Sequence, residues 1–493
     1  MVTAAEGPLI ASQRETLQRY ALDTWHSFDA MVFPETGLPA DNIDGSLDLA
    51  TRSRYTSPTN IGAYMWSALV ARELGIISAD EAYERLNTTL TTMSHVVHNV
   101  PSGMFYNWYD PATGDVVHVW PPDGSTIYPF LSSVDNGWFA AALMVVRTAE
   151  PRLAGKANAL LTKMNFGFFF DPNARGPSFP GLLRGGFWDS PPPGCFIKGN
   201  YLGIGPDVWY TCNTYDITVT EPRISNYIGI AFGQIPPAAY FGTYRTFPSS
   251  CDWSWVEQRP VGFDATYLGV PVYEGAFQYR GMRIVPSWGG DMFEALMPDL
   301  FVPEETWGPN SWGINHRATV RAQIEHGMDE AQYGYWGFSP ASDPRGGYNA
   351  YGVDLIGSNP DGYFSDLEGT NPDVGYEGCR PATNPNPTFG DGVVTPHAAF
   401  LALRFAPQEA MENLAGIETI LHAYGPGGFY DSVAVVSDTI ARRYLSLDQG
   451  MVMGSIGNQL ANDLLRRSFV RGPVQNVIKP LLGLETFNAS LGN

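Results

Sequence analysis

An all-α fold follows from three features of the sequence: apolar residues recurring at helical spacing, cap signatures at the starts of those stretches, and only short runs of strand character. Ser12 and Glu15 form a capping-box pattern ahead of Leu17, Tyr20, Ala21, Trp25 and Phe28 on one face. Ser57-Pro58 reads as a cap followed by proline at the first helical position, leading into Ile61, Tyr64, Ala68 and Leu69. Ser78 and Glu81 repeat the box before Ala82, Leu86, Leu90, Met93 and Val97. Further helices are predicted near 135–149, 152–165, 221–232, 311–326, 396–404, 407–422 and 447–467. Runs at 104–109 and 282–285 read as hairpin pieces. Five helix starts are polar or acidic: Ser57–Asn60, Val134–Gly137, Thr220–Arg223, Thr395–His397 and Leu447–Gly450. Separated by aromatic loops, they suggest helix ends converging on one mouth, as in a toroid of helices.

The chain of 493 residues is 44% hydrophobic, enough for a large core, and is read as one domain over 1–493. Its net charge of -21 repels phosphate backbones and excludes nucleic acid as a natural partner. Many of the 13 Trp, 25 Tyr and 27 Phe fall in Gly/Pro-rich stretches between the predicted helices, and the stretches near 171–213 and 339–391 are too aromatic for linkers. No apolar run of about 20 residues spans a membrane, and Met1–Gly7 lacks a signal pattern. Cys195, Cys212, Cys251 and Cys379 allow three disulfide connectivities, or four free thiols. A Cys195–Cys212 bond would fasten the loop before Glu221. There is no Walker or G-x-G-x-x-G loop and no H-E-x-x-H, so neither a cofactor nor a transition metal is expected. The Asp-rich loop near 354–373 is the one candidate for a structural calcium ion.

The ordered segments Thr56–Gly62, Tyr106–Tyr109, Ser133–Trp138, Glu221–Ile224, Pro286–Glu294, Tyr333–Phe338, Val394–Ala398, Gly428–Ser432 and Ser446–Gly450 resemble the bacterial endo-β-1,2-glucanases and related glucoamylase-like domains, including the glycosidase region of cyclic β-1,2-glucan synthases. The resemblance covers roughly residues 55–465. It implies an (α/α)6 toroid with long aromatic loops, and a glycoside hydrolase cutting β-1,2-glucan to sophoro-oligosaccharides by an inverting reaction. A transglycosylase or exo-acting glycosidase on the same linkage is the alternative, and a non-catalytic carbohydrate-binding protein is the rival class. The substrate partner is an oligo- or polysaccharide, and the expected compartment is extracellular or periplasmic, with the cytoplasm as the alternative. The chain departs from the family pattern in the Cys-bearing loop before Glu221 and in an insertion at about 339–391.

Glycosidic cleavage needs a proton donor and a carboxylate that activates water or attacks directly. Glu221 resembles the family's acid; the competing reading is a first-turn acid paired with Arg223. Asp135 matches an essential family acid and is also a natural helix cap. Asp431 is the preferred base, with Asp448 its rival and capping the other reading of Asp448. Glu294 resembles the second carboxylate of synthase-type relatives. Tyr55, Asn60, Trp108, Tyr109, Trp138, Arg223, Trp288, Trp312, Trp336, His397 and Asp448 are the candidate sugar-binding residues, since aromatic faces rimmed by polar groups suit sugar rings.

Overall fold

The computed structural model describes residues 8–200, 205–359 and 372–492. Its α-helices are α1 (Ala11–Met31), α2 (Pro58–Glu73), α3 (Ala79–Met93), α4 (Ser133–Ala149), α5 (Ala154–Leu161), α6 (Arg223–Ala231), α7 (Met292–Leu296), α8 (Glu304–Trp307), α9 (Trp312–Glu325), α10 (Pro396–Leu401), α11 (Pro407–Thr419), α12 (Ser446–Leu460), α13 (Leu464–Phe469) and α14 (Lys479–Leu482). Every helix expected from the sequence is present.

Burial sorts these helices into two kinds. In α2 every residue from Pro58 to Ala71 is buried, and α4 and α12 are buried nearly all round. A helix that is apolar on all sides must lie inside. By contrast, α1 and α3 bury one face each: Leu17, Tyr20, Ala21, Thr24, Trp25 and Phe28 on α1, and Ala82, Leu86, Thr89, Leu90 and Met93 on α3. The inner helices touch in series: α2 packs on α4 and α12, α4 on α6, and α10 on both α12 and α7. Arg223 joins α6 to α7 by donating to the carbonyls of Glu294 and Ala295. The contacts therefore run α2–α4–α6–α7–α10–α12 and return to α2. Small residues permit the close approaches. A Cβ on Gly137 would lie 2.0 Å from Ser225 Oγ of α6, and one on Gly450 would lie 2.6 Å from Ala63 Cβ of α2.

Three local expectations are corrected. Helix α1 begins at Ala11, so Ser12 lies inside it; the Gln13 side chain accepts from the Ile10 backbone N–H instead of a Ser12–Glu15 box forming. The predicted 447–467 helix is two helices, α12 and α13, because Asn462 and Asp463 take left-handed φ values of 54° and 51°. The hairpin reading at 282–285 catches only the last strand of a three-stranded antiparallel sheet, Val261–Tyr267, Val270–Tyr279 and Met282–Ile284. Its first turn is the two-residue Leu268-Gly269, both at positive φ, as the twist of a tight hairpin favours.

Both disulfides form: Cys195–Cys212 as expected, and Cys251–Cys379, leaving no free thiol. The first crosslinks the Phe196–Gly199/Val208–Thr211 hairpin ahead of Glu221. The second closes a separation of 128 residues. Alkylation under denaturing, non-reducing conditions is expected to leave the mass unchanged. Paired Cys251→Ser and Cys379→Ser substitution should cost about 4–5 kcal/mol in urea unfolding through the longer loop it frees. Rapid labelling of all four cysteines without reductant would contradict the bonding.

Candidate active site

The N-terminal ends of α2, α4, α6, α7 and α12 open on one hollow of about 610 Å³. It is lined by Ser57, Thr59 and Asn60 of α2 and its cap, Val134, Asp135 and Trp138 of α4, Glu221 ahead of α6, Phe293 of α7, and Leu447 and Asp448 of α12. Two other hollows, of about 620 and 700 Å³, lie along the 244–273 and 249–382 segments. Size does not single out a site here. Four carboxylates do: Asp41, Asp135, Glu221 and Asp448 converge on the first hollow, with Arg443 as the cation on its wall.

Capping does not occupy these acids. Ser132 Oγ caps α4 by accepting from the Asp135 N–H, which leaves the Asp135 carboxylate to take a 2.6 Å bond from Thr59 Oγ1. Helix α12 has no side-chain cap, and Asp448 sits in its first turn, not at the cap position. Nor does Arg223 pair with Glu221. Its guanidinium makes a bidentate contact with Glu304, Nε–Oε1 2.7 Å and Nη2–Oε2 2.8 Å, and also donates to the Thr220 carbonyl.

Glu221 is enclosed. Burial, then the negative charge of Glu294, pushes its pKa up to about 8, against weaker opposing pulls from its backbone, Thr220 and Arg223. Beside it, Asp291 caps α7 through the Glu294 N–H at 2.8 Å, and Glu294 Oε2 accepts the Gly289 N–H at 2.9 Å. Burial raises both: Asp291 to about 7, with the Glu294 contact opposing and the Glu221 charge adding, and Glu294 well above the usual carboxylate range, with the Asp291 charge adding. Burial raises the Tyr215 hydroxyl well above its ordinary range, and the charges of Glu221, Asp135 and Glu294 add to this.

A second acidic group faces Tyr348, whose hydroxyl feels Asp448, Asp431, Asp291 and Asp41. Asp431 Oδ2 accepts the Ser342 N–H at 2.6 Å, while Asp431 Oδ1 and Asp448 Oδ2 have no partner but each other's carboxyl. Burial raises both, and the contact between them raises Asp448 and lowers Asp431. The two therefore titrate as a unit. His397 Nδ1 is 3.7 Å from Asp448 Oδ2, but burial lowers its pKa to about 3, so the imidazole is neutral.

Of the expected residues, Tyr55, Asn60, Trp108, Asp135, Trp138, Glu221 and Asp448 line the hollow. Asp431, Glu294 and His397 stand directly behind that wall. The others lie away from it. Trp312 is fully buried, its Nε1 donating to Tyr240 and its face under Arg223; Tyr109 donates to the Val97 carbonyl; Trp336 is core; Trp288 packs on a separate apolar cluster; and Arg223 is a structural clamp. Sequence reading missed Asp41, Asn42, Trp120, Tyr348 and Arg443. The Trp-Pro-Pro of 120–122 was a visible signal: Trp120 packs against Tyr55, with ring centroids 4.3 Å apart, and against Trp108 at 5.1 Å. Asp41 and Arg443 carried no such mark. Asp41 is held by Asn42 and by Asn60 Nδ2 at 2.7 Å.

Among the described residues, one group of acids and histidine has metal-ligand spacing, Asp299, Glu304 and His316. Its charges are already met by Arg223, Arg466 and the His316 Nε2 contact to Glu304 at 3.0 Å. That donor set is an ion-pair network.

The raised Glu221 pKa fixes a sign. Between the unfolded value near 4.5 and about 8, the folded chain holds a proton that the unfolded chain loses, so this group makes stability fall as pH rises through that window. Glu221→Gln should therefore be more stable than the parent at pH 8.5 by roughly 2–5 kcal/mol, and equal to it at pH 4. Urea unfolding at the two pH values checks this, and equal differences at both would refute it.

Residues 263–473 match the Glycoamylase family model, described as "Putative glucoamylase", and residues 19–168 match one described as a protein of unknown function, DUF3131. The chain is 24% identical over 602 aligned residues to the cyclic β-(1,2)-glucan synthase NdvB of Rhizobium meliloti; the match takes in 97% of this chain but only 19% of that protein. Among solved structures, the endo-β-1,2-glucanase of Chitinophaga pinensis, determined with sophorotriose and glucose, superposes with a TM-score of 0.64 at 16% identity, covering 95% of this chain and 98% of that one. An endo-β-1,2-glucanase of Talaromyces funiculosus, determined with β-1,2-glucan, gives 0.63 at 11% identity over 97% and 91%. The β-1,2-glucanase of Parabacteroides distasonis gives 0.65 at 16% over 96% and 60%. Part of the chain is thus similar to the glucoamylase family model and the whole has the fold seen in β-1,2-glucanases, so the expected resemblance holds.

Proposed function

We propose that this protein is a glycoside hydrolase that cleaves β-1,2-glucan with inversion, Glu221 acting as proton donor and the Asp431–Asp448 pair as general base. One observation carries the reading. A glutamic acid held protonated near neutral pH stands on the wall of an aromatic hollow, with a buried carboxyl pair that titrates as a unit on another wall. The acid protonates the glycosidic oxygen as the bond breaks. A water on the other face of the sugar gives its proton to Asp448, which passes its own to Asp431. Glu294 supports inversion, because a carboxyl kept protonated by burial is a poor nucleophile. Tyr55, Trp108 and Trp120 supply flat faces for the glucose rings, and Asn60, Asp135 and Arg443 supply polar edges.

The architecture we read is a single (α/α)6 toroid over 1–493. The circuit of inner-helix contacts and the shared core from Leu17 to Ala489 support it. Two disulfides support an oxidising compartment, and no helix among the described residues is long and apolar enough to cross a membrane. The similarity to the synthase supports a second reading, transfer, in which a sugar hydroxyl takes the place of water.

Incubation with β-1,2-, β-1,3-, β-1,4- and α-glucans, followed by chromatography, should yield sophoro-oligosaccharides from the first polymer alone. Ladders longer than the starting oligosaccharide would mark transfer, and products only from another glucan would overturn the linkage. Glu221→Gln is expected to lose about 10²–10⁴-fold in kcat with little change in substrate binding. Asp431→Asn and Asp448→Asn should fall together, since each breaks the same relay. In the parent, kcat should decline above about pH 8 as Glu221 ionises. Near-normal turnover of Glu221→Gln would eliminate it as the acid.

A further inference from the structure

The stretch 339–391, expected to depart from the family pattern, begins with a short antiparallel hairpin, Ala341–Ser342 against Tyr348–Asn349. Residues 360–371, which hold much of the Asp-rich stretch considered for calcium, lie outside the described residues. In the hairpin Ser342 stands directly opposite Tyr348, and opposed residues project from the same face. Both line the catalytic hollow. Ala341 and Asn349 alternate to the other face, where Ala341 is fully buried and Asn349 Nδ2 donates to Asp343 Oδ2 at 2.9 Å.

The hairpin is pinned to both sides of the hollow. Beside Glu294, Ser339 Oγ accepts the Phe293 N–H and the Phe338 carbonyl accepts the Met292 N–H, each at 3.2 Å. On the side of the carboxyl pair, the Ser342 N–H donates to Asp431 Oδ2 at 2.6 Å, and Ser432 Oγ donates to the Ser342 carbonyl. An Arg345–Asp391 ion pair ties the turn. Tyr348 is the exception to this anchoring. It is 55% exposed, and its hydroxyl has no hydrogen-bond partner among the described residues. A phenol ionises only near pH ~10, so at neutral pH this is an unused donor on the wall of the hollow.

We propose that Tyr348 binds substrate, its hydroxyl donating to a glucose hydroxyl of the glucan held in the hollow that Glu221 and Asp448 line. The inference rests on the glucan-cleaving reading above. A neutral sugar fits this wall because its hydroxyls can accept from the phenol and donate to Asp41 and Asp448, whereas an anionic ligand meets only repulsion from those acids. The exposed ring adds a flat face for the apolar side of the sugar.

Binding to the inactive Glu221→Gln chain separates this contact from turnover. Sophoro-oligosaccharides are titrated by calorimetry; if the glucan panel identifies another polymer, its oligosaccharides take their place. Adding Tyr348→Phe should weaken binding about 3–10-fold, the worth of one neutral hydrogen bond. Tyr348→Ala, which also removes the ring, should weaken it about 10–100-fold. In the active chain Tyr348→Phe should raise KM with little change in kcat, because the bond is made in ground and transition states alike. Its Tm should match the parent's, since the phenol bonds nothing in the protein. Affinity that both Tyr348 variants leave unchanged overturns the proposal while the glucan reading stands. So does a fall in kcat at constant KM, which would make the phenol a holder of the attacking water. Failure of the Glu221→Gln chain to bind any of these sugars would instead remove the glucan reading, and the proposal with it.

Discussion

The Arg223–Glu304 clamp is the contact on which the rest of the site depends. Arg223 is buried against Trp312 and uses five hydrogen bonds: two to Glu304, and one each to the carbonyls of Thr220, Glu294 and Ala295. Three separate pieces of chain are thereby fixed to one planar group: the residue before Glu221, the backbone of Glu294, and α8. Burial alone would push the Glu304 pKa up, but Arg223 and the His316 donor bring it down to about 2. Tyr227 adds a further 2.7 Å bond to the same carboxylate. A buried ion pair of this kind contributes little net stability after desolvation; its use is geometric specificity, because a planar fork accepts one arrangement of partners.

Around that clamp, two opposed effects set the charge state of the mouth. Helix N-termini favour anions, through their unsatisfied N–H groups and the aligned peptide dipoles. Enclosure and mutual repulsion favour the neutral acids. The outcome differs residue by residue according to donors. Asp431 has the Ser342 N–H and the Asp448 contact, both of which oppose the upward push of burial. Glu221 has a 3.3 Å contact from Thr220 Oγ1 and no close cation, so it retains a proton. One mouth can thus hold an acid and a base at the same pH, as glycosidic cleavage requires.

The helices were legible because periodicity and caps are local. The apolar spacing in 58–73 and 79–93 marks helices whatever surrounds them, and Ser57-Pro58 and Ser78 set their starts where the structure has them. The sheet at 261–284 was less legible. Its first strand faces solvent at Gly262, Phe263 and Asp264, so the alternation that betrays a half-buried strand is weak there.

The sequence by itself determined that the fold is helical, that acids and aromatics gather at helix starts, and that Glu221, Asp135 and Asp448 belong to one mouth. Only the tertiary structure decided which aromatics face that mouth. Trp312 and Trp108 look alike in sequence, yet one is locked under Arg223 in the core and the other lines the hollow beside Trp120. It also decided that Asp41 and Arg443 join the site and that Asp431 and Asp448 meet as a buried pair. The physical reason is separation along the chain. A cap or an apolar stripe is encoded within a few residues, whereas burial, pairing and pKa depend on groups brought together from segments tens to hundreds of residues apart.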